Sequence, residues 1–280
     1  MTDWDDAFDN MGHVPNALSY MDAWQGQAKA FRESGVKADL ALAYGQEPRQ
    51  KLDIFWPDNV PKGLVVFMHG GYWIKLDRSY FSHLAAGPVA NGWAVAIPSY
   101  TLAPKAKISN MTRETAQAIA CAADKIAGPI CVTGHSAGGH LATRMVCENS
   151  PLDRRLQKRI VKTLSISGLH DLRNLLKTKL NDALNLTSPE AALESPCLSV
   201  PIKAANVTCW VGRNERPEFM RQSQHLCDVW GKHGAKTDVV MVEGKHHFTI
   251  IDDLSSPHSH LTRTLLGLNN DTSGYDETGR

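Results

Sequence analysis

Three separated stretches of the chain carry side chains that together could run acyl transfer. Gly134-His135-Ser136-Ala137-Gly138 fits the pattern G-x-S-x-G; it follows the short apolar run PICVT and precedes HLATRMVCE, which reads as a helix. A serine on such a strand-to-helix elbow exposes its hydroxyl, and small residues two before and two after it let the backbone pass close to its neighbours. Ser136 is therefore the candidate nucleophile. The bland alternative, a plain glycine-rich turn with an exposed serine, is disfavoured by the flanking strand and helix. The elbow also puts the Ala137 amide at a helix N-terminus, where the dipole favours developing negative charge.

A serine hydroxyl is a poor nucleophile until a histidine takes its proton, and that histidine needs an orienting carboxylate. In α/β-hydrolase order these arrive as serine, acid, then histidine. Near the end of the chain stands Glu243-Gly244-Lys245-His246-His247-Phe248. Two adjacent histidines cannot point the same way. His247, followed by an apolar anchor at the mouth of the expected final helix, is the candidate base, and His246 is expected as its solvated neighbour. Between serine and histidine lies Gly212-Arg213-Asn214-Glu215-Arg216-Pro217-Glu218-Phe219. Glu215, in the loop before a Pro-initiated helix, is the preferred acid. Glu218, already in the first helical turn, is the alternative.

The third stretch is His69-Gly70-Gly71-Tyr72-Trp73, directly after the apolar run LVVFM. Glycines there let backbone amides turn toward a ligand. The amides of Gly71 and Tyr72, with that of Ala137, are the candidate oxyanion donors. Tyr72 and Trp73 are candidate substrate-lining aromatics, and His69 reads as a residue that holds the loop.

These residues need a scaffold that brings them together. Strand-like runs fall near 38–44, 50–56, 64–68, 93–98, 130–133, 161–167, 207–211 and 237–242. LVVFM, ICV and VTCWV are continuously apolar, as expected of parallel strands buried on both faces. The first two runs alternate and are joined by Gly45-Gln46-Glu47-Pro48, which suggests an antiparallel hairpin at one edge. Helix candidates lie at 79–91, 110–127, 138–149, 217–233 and 248–267. This alternation predicts an α/β fold over 1–268: one doubly wound domain on a mostly parallel, eight-stranded sheet flanked by helices. Residues 1–36 read as helical, with Tyr20, Met21, Trp24 and Phe31 as packing residues. With the irregular stretch 170–200 they are candidate cap segments, and the polar tail 269–280 is expected to be disordered.

Composition narrows the functional classes. Thirty basic and twenty-nine acidic residues among 280 leave a formal charge of +1, so nothing advertises nucleic acid or an anionic membrane. The apolar runs are too short to span a bilayer. The acidic start MTDWDDAFDN lacks the basic and apolar stretches of a secretory signal. Six scattered cysteines form no CxxC pair. Cys131 and Cys209 read as buried thiols, and a reducing, cytoplasmic setting is expected. The histidines at 258–260 read as a polar segment near the last helix, not a metal site. No phosphate-binding glycine motif is present, so nucleotide chemistry has no support, and neither a metal nor a cofactor is expected. The expected partner is a small-molecule substrate, and a homodimer is the working expectation for assembly.

HGGYW, Tyr100-Thr101-Leu102-Ala103-Pro104-Lys105, GHSAGGHLA, GRNERPEF and HHF together resemble the arylformamidase (kynurenine formamidase) group, α/β-hydrolases related to the hormone-sensitive-lipase-like esterases. The resemblance runs from about 50 to 268. HGG-x-W is its most specific piece, since many lipase relatives carry a third glycine where this chain has Tyr72. The resemblance implies an α/β-hydrolase fold with Ser136 as nucleophile, Glu215 as acid and His247 as base. The family usually carries Asp where this chain has Glu215. The implied reaction is hydrolysis of an N-formyl arylamine such as N-formylkynurenine, alongside aryl and short-chain esterase activity. A general carboxylesterase would use the same residues in a different pocket.

Overall fold

The computed structural model describes residues 2–268, so the tail at 269–280 lies outside the described residues. Each of the eight strand-like runs forms a strand: β1 (Ala38–Ala43), β2 (Lys51–Phe55), β3 (Leu64–Met68), β4 (Ala94–Pro98), β5 (Ile130–His135), β6 (Ile160–Ile166), β7 (Asn206–Gly212) and β8 (Lys236–Val242). They form one sheet in the order β1-β2-β4-β3-β5-β6-β7-β8. β2 runs antiparallel to both β1 and β4, and the remaining neighbours are parallel. β1 and β2 thus make the expected edge hairpin, and β1 is the more exposed of the two. In β3 every side chain is buried, and strand periodicity divides them. Leu64, Val66 and Met68 join the core on one face, whereas Val65 and Phe67 join the core on the other.

Helices cover both faces. Ile108–Lys125 buries Met111, Thr115, Ala118, Ile119 and Ala122 at helical spacing. Pro217–Lys232 buries Phe219, Leu226 and Trp230 and begins, as expected, at its proline. Three expected helices are shorter than the sequence suggests. The stretch 79–91 is two 3-10 turns followed by the short helix Ala86–Ala90. There a Cβ on Gly87 would sit 2.2 Å from the Leu254 carbonyl oxygen, so the chain is pinned by a close backbone approach. The nucleophile helix ends at Arg144, and the following residues pair instead, Cys147 bridging to Pro201. The expected final helix is confined to His260–Leu266. Ser255-Ser256-Pro257 interrupts it, and the Ser259 side chain caps it by accepting from the Thr262 amide. His247 therefore opens a turn and not a helix.

The elbow depends on glycines where backbones nearly touch. A Cβ on Gly138 would lie 1.9 Å from the Met68 carbonyl oxygen, and one on Gly134 2.3 Å from the Gly138 carbonyl oxygen. The nucleophile turn is thus pressed against the end of β3, where the HGGYW loop begins. We expect Gly138→Ala to destabilise the fold by about 3 kcal/mol or more, the upper range for overpacking a rigid site. Urea unfolding checks this, and unchanged stability would refute the close approach.

Candidate active site

Ser136 sits on the elbow between β5 and the helix Ala137–Arg144 with φ 56° and ψ −117°. A non-glycine residue in such a region carries roughly 1–3 kcal/mol of strain and persists only where its surroundings dictate it. Here the Ser136 amide donates to the Ile166 carbonyl on β6 at 2.8 Å, and its carbonyl accepts from His140 at 3.1 Å. The hydroxyl is buried and has no hydrogen-bond partner among the described residues, so a bond to His247 is not made in this structure. Such bonds are commonly loose without substrate and tighten in the Michaelis complex.

The acid and base do meet. His247 Nδ1 lies 2.8 Å from Glu215 Oε2, with side-chain exposures of 4% and 0%. With Nδ1 donating to the carboxylate, Nε2 is left as the lone-pair nitrogen that can accept a proton. The other carboxylate oxygen accepts from the Ser167 hydroxyl at 2.5 Å and from the Gly212 amide at 2.8 Å. Glu218, the alternative acid, is taken up by Arg221 and Gln222 on its own helix. His246 is not the merely solvated neighbour expected: its Nε2 lies 3.1 Å from the Tyr20 hydroxyl, and it is half-buried.

Two supporting residues escaped the sequence reading. Ser167 directly follows β6 with φ 49° and holds the acid. Its only signal was a serine just beyond the carboxyl end of a central strand, where α/β sheets collect functional groups. His135, the variable residue of the serine motif, points Nε2 at the His247 carbonyl at 2.8 Å. Burial, and then the nearby His247, hold its pKa well below the usual histidine value, so it is a neutral donor. The Phe219 ring packs edge-on to His247 with centroids 4.8 Å apart.

In the HGGYW loop, Gly71, Tyr72 and Trp73 have φ of 110°, 52° and 61°. The Gly71 carbonyl turns back to accept from Ile74 and Lys75. Among the described residues no backbone acceptor takes the amides of Gly71, Tyr72 or Ala137. His69 steadies the loop: its Nδ1 lies 2.7 Å from the Gly70 carbonyl, and its ring stacks on Tyr100 at 4.4 Å. Trp73 is a correction to the expected substrate wall. It is fully buried with its ring against His140, whereas Tyr72 lines the cleft.

Ser136, His247, Gly71 and Tyr72 line one narrow cleft of about 20 Å³, walled on one side by Met11, Met21 and Trp24. Residues from 1–36 thus stand over the serine. From 170–200, Thr178 and Leu180 line a neighbouring pocket of about 160 Å³ that shares Tyr72. Elsewhere, Asp171, Cys197 and His225 bring ligand-type atoms within 4.8 Å of one another. Arg173 already grips both Asp171 oxygens, at 2.9 and 2.7 Å, which opposes a cation there.

The chain is 31% identical over 239 residues to the kynurenine formamidase of Danio rerio, covering 81% of this chain and 80% of that protein. It belongs to the kynurenine formamidase family. The family model described as BD-FAE matches residues 52–225. A structure from Silicibacter sp., bearing a provisional thioesterase name, superposes with a TM-score of 0.89 at 41% identity, covering 95% of this chain and all of that one. An isoprenylcysteine α-carbonyl methylesterase of Arabidopsis thaliana is 25% identical over 74% of this chain and 56% of its own length. As a kynurenine formamidase family member, the chain is a serine hydrolase of amide or ester bonds. No helix among the described residues is long and apolar enough to cross a membrane.

Replacing Glu215 by Gln should reduce kcat by about 10³- to 10⁴-fold, because the amide stabilises the wrong histidine tautomer. Glu218→Gln, tested beside it, should retain most activity; equal losses would reject the assignment. Stability should also depend on pH. Burial lowers the pKa of His69 and His83 to about 4 and of His140 and His170 to about 3. Below the unfolded value of 6.5 the unfolded chain binds protons that these residues refuse when folded. Stability therefore falls as pH drops from 6.5 toward 4, opposed by Asp252, which burial raises to about 6. The urea midpoint should be lower at pH 5 than at pH 7, and an unchanged midpoint would contradict neutral burial.

Proposed function

We propose that this hydrolase removes a formyl group from an N-formyl arylamine, with N-formylkynurenine as the type substrate. The observation that carries this reading is the likeness to the Danio rerio kynurenine formamidase, 31% identical over 239 residues. The narrow cleft at Ser136, bounded by Tyr72, Met21 and Trp24, is where the acyl carbon has to sit. A formyl carbon bears only hydrogen beside its oxygen and leaving group, so it asks the least of that space.

In this mechanism His247 takes the proton of Ser136 as Oγ attacks the formyl carbon. The amides of Gly71, Tyr72 and Ala137 stabilise the oxyanion, with the helix dipole behind Ala137. The tetrahedral intermediate collapses as His247 protonates the departing amine nitrogen, leaving a formyl ester on Ser136. Water, deprotonated by His247, attacks that ester and releases formate. Glu215 keeps the imidazole in the required tautomer and stabilises its charged form. All six cysteines are unbonded thiols and five are buried, which suits a reducing cytoplasmic setting.

A series of formyl, acetyl and butyryl derivatives sharing one aryl leaving group tests the reading. After division by each compound's hydroxide rate, kcat/KM should fall about 100-fold from formyl to butyryl, the equivalent of a few kcal/mol of misfit. A flat or rising series would instead make the protein a general carboxylesterase.

A further inference from the structure

The Tyr72 phenol performs a task that the reaction itself does not require. Its hydroxyl donates to the Phe8 carbonyl at 2.5 Å and accepts from the Asn10 side-chain amide at 3.1 Å and the Asn10 backbone amide at 3.4 Å. Asn10 has no exposed surface, and its Oδ1 is buried without a partner. Burying an amide with one end unmet works against stability, so its retention needs another explanation. Tyr72 meanwhile holds φ 52° in the loop whose amides are assigned to the oxyanion. A tyrosine stays in that region only when something outside the loop fixes it.

The segment carrying Asn10 is anchored to the other half of the site. Asp6 pairs with Arg216, and His13 Nε2 lies 3.3 Å from the Asn214 carbonyl, so both neighbours of Glu215 are tied to it. Phe8 packs edge-on to Phe219, which in turn touches His247. The N-terminal segment therefore bridges the loop after β3 and the loop after β7, which no sheet hydrogen bond connects.

We propose that Asn10 is a positioning residue: through the Tyr72 hydroxyl it sets the left-handed turn that aims the loop amides at the oxyanion. This rests on the oxyanion reading given above. Asn10→Ala removes the side-chain donor, and Tyr72→Phe removes the hydroxyl while keeping the ring, so either variant serves if the other folds poorly. Active serines are counted with a fluorophosphonate, and kcat is expressed per titrated serine.

Losing a whole oxyanion donor costs about 100- to 1000-fold, so misaiming one should lower kcat per titrated serine about tenfold. KM should stay within about twofold, since only transition-state interactions are weakened. The double variant should be no worse than the poorer single variant, because both cut one link. Fewer titratable serines at unchanged kcat per serine would overturn the proposal by making Asn10 purely structural. A change confined to KM would overturn it by making the segment only a substrate wall. A trifluoromethyl ketone analogue, which forms a tetrahedral oxyanion, separates the two levels. Tight binding to the wild type that weakens in both variants supports the proposal, whereas equal tightness in the variants overturns it alone. Binding to the wild type no tighter than substrate would overturn the oxyanion reading and the proposal with it.

Discussion

A carboxylate with no exposed side-chain surface is the constraint around which this site is arranged. Removing a charge from water is expensive, and Glu215 is tolerable only because the Ser167 hydroxyl, the Gly212 amide and His247 Nδ1 all address it. Each donor comes from the carboxyl end of a different strand or from the loop beyond it. The order β6-β7-β8 is what brings them to one point. Satisfying that charge fixes the imidazole, and the fixed imidazole gives the serine motif its chemistry. Glutamate fills the place because its first oxygen bonds back to Gly212, three residues earlier, while the second reaches the histidine. The longer side chain spans the turn instead of overshooting it.

Strain is concentrated in the same region. Gly71, Tyr72 and Trp73 after β3, Ser136 after β5 and Ser167 after β6 all have positive φ. Four of these five are not glycine. Such conformations survive because β3, β5 and β6 are locked by parallel pairing, β3 and β5 buried throughout and β6 buried over residues 163–166. The rigid sheet thus supports turns that would relax in an isolated loop, and the relaxed form would lose the aim of the serine and the amides together.

Much of this was legible in the amino-acid sequence because it depends on local pattern. Continuous apolar runs such as LVVFM can be little else than buried strands, and all eight runs became strands. Glu215 was separable from Glu218 by its place before Pro217, and the structure gives the two carboxylates different partners. Helix ends were read less well. Gly87 and the Ser255-Ser256-Pro257 interruption act through contacts with remote backbone that no local window contains. Trp73 was misread for a related reason, since the turn that buries it is set by its tertiary surroundings. His135 and Asn10 gave no local signal, and Ser167 only its place after β6, because their partners lie 112, 62 and 48 residues away.

The central claim is that Ser136 carries the acyl group during turnover, and the most direct measurement is to catch it there. Enzyme mixed with an excess of a rapidly acylating aryl ester is quenched in acid, digested, and the peptide spanning β5 and the nucleophile helix is weighed. The added mass should equal the acyl group less the hydrogen it replaces and map to Ser136, and it should be absent after His247→Ala. Turnover with no covalent adduct, or an adduct on any other side chain, would contradict the reading of the site.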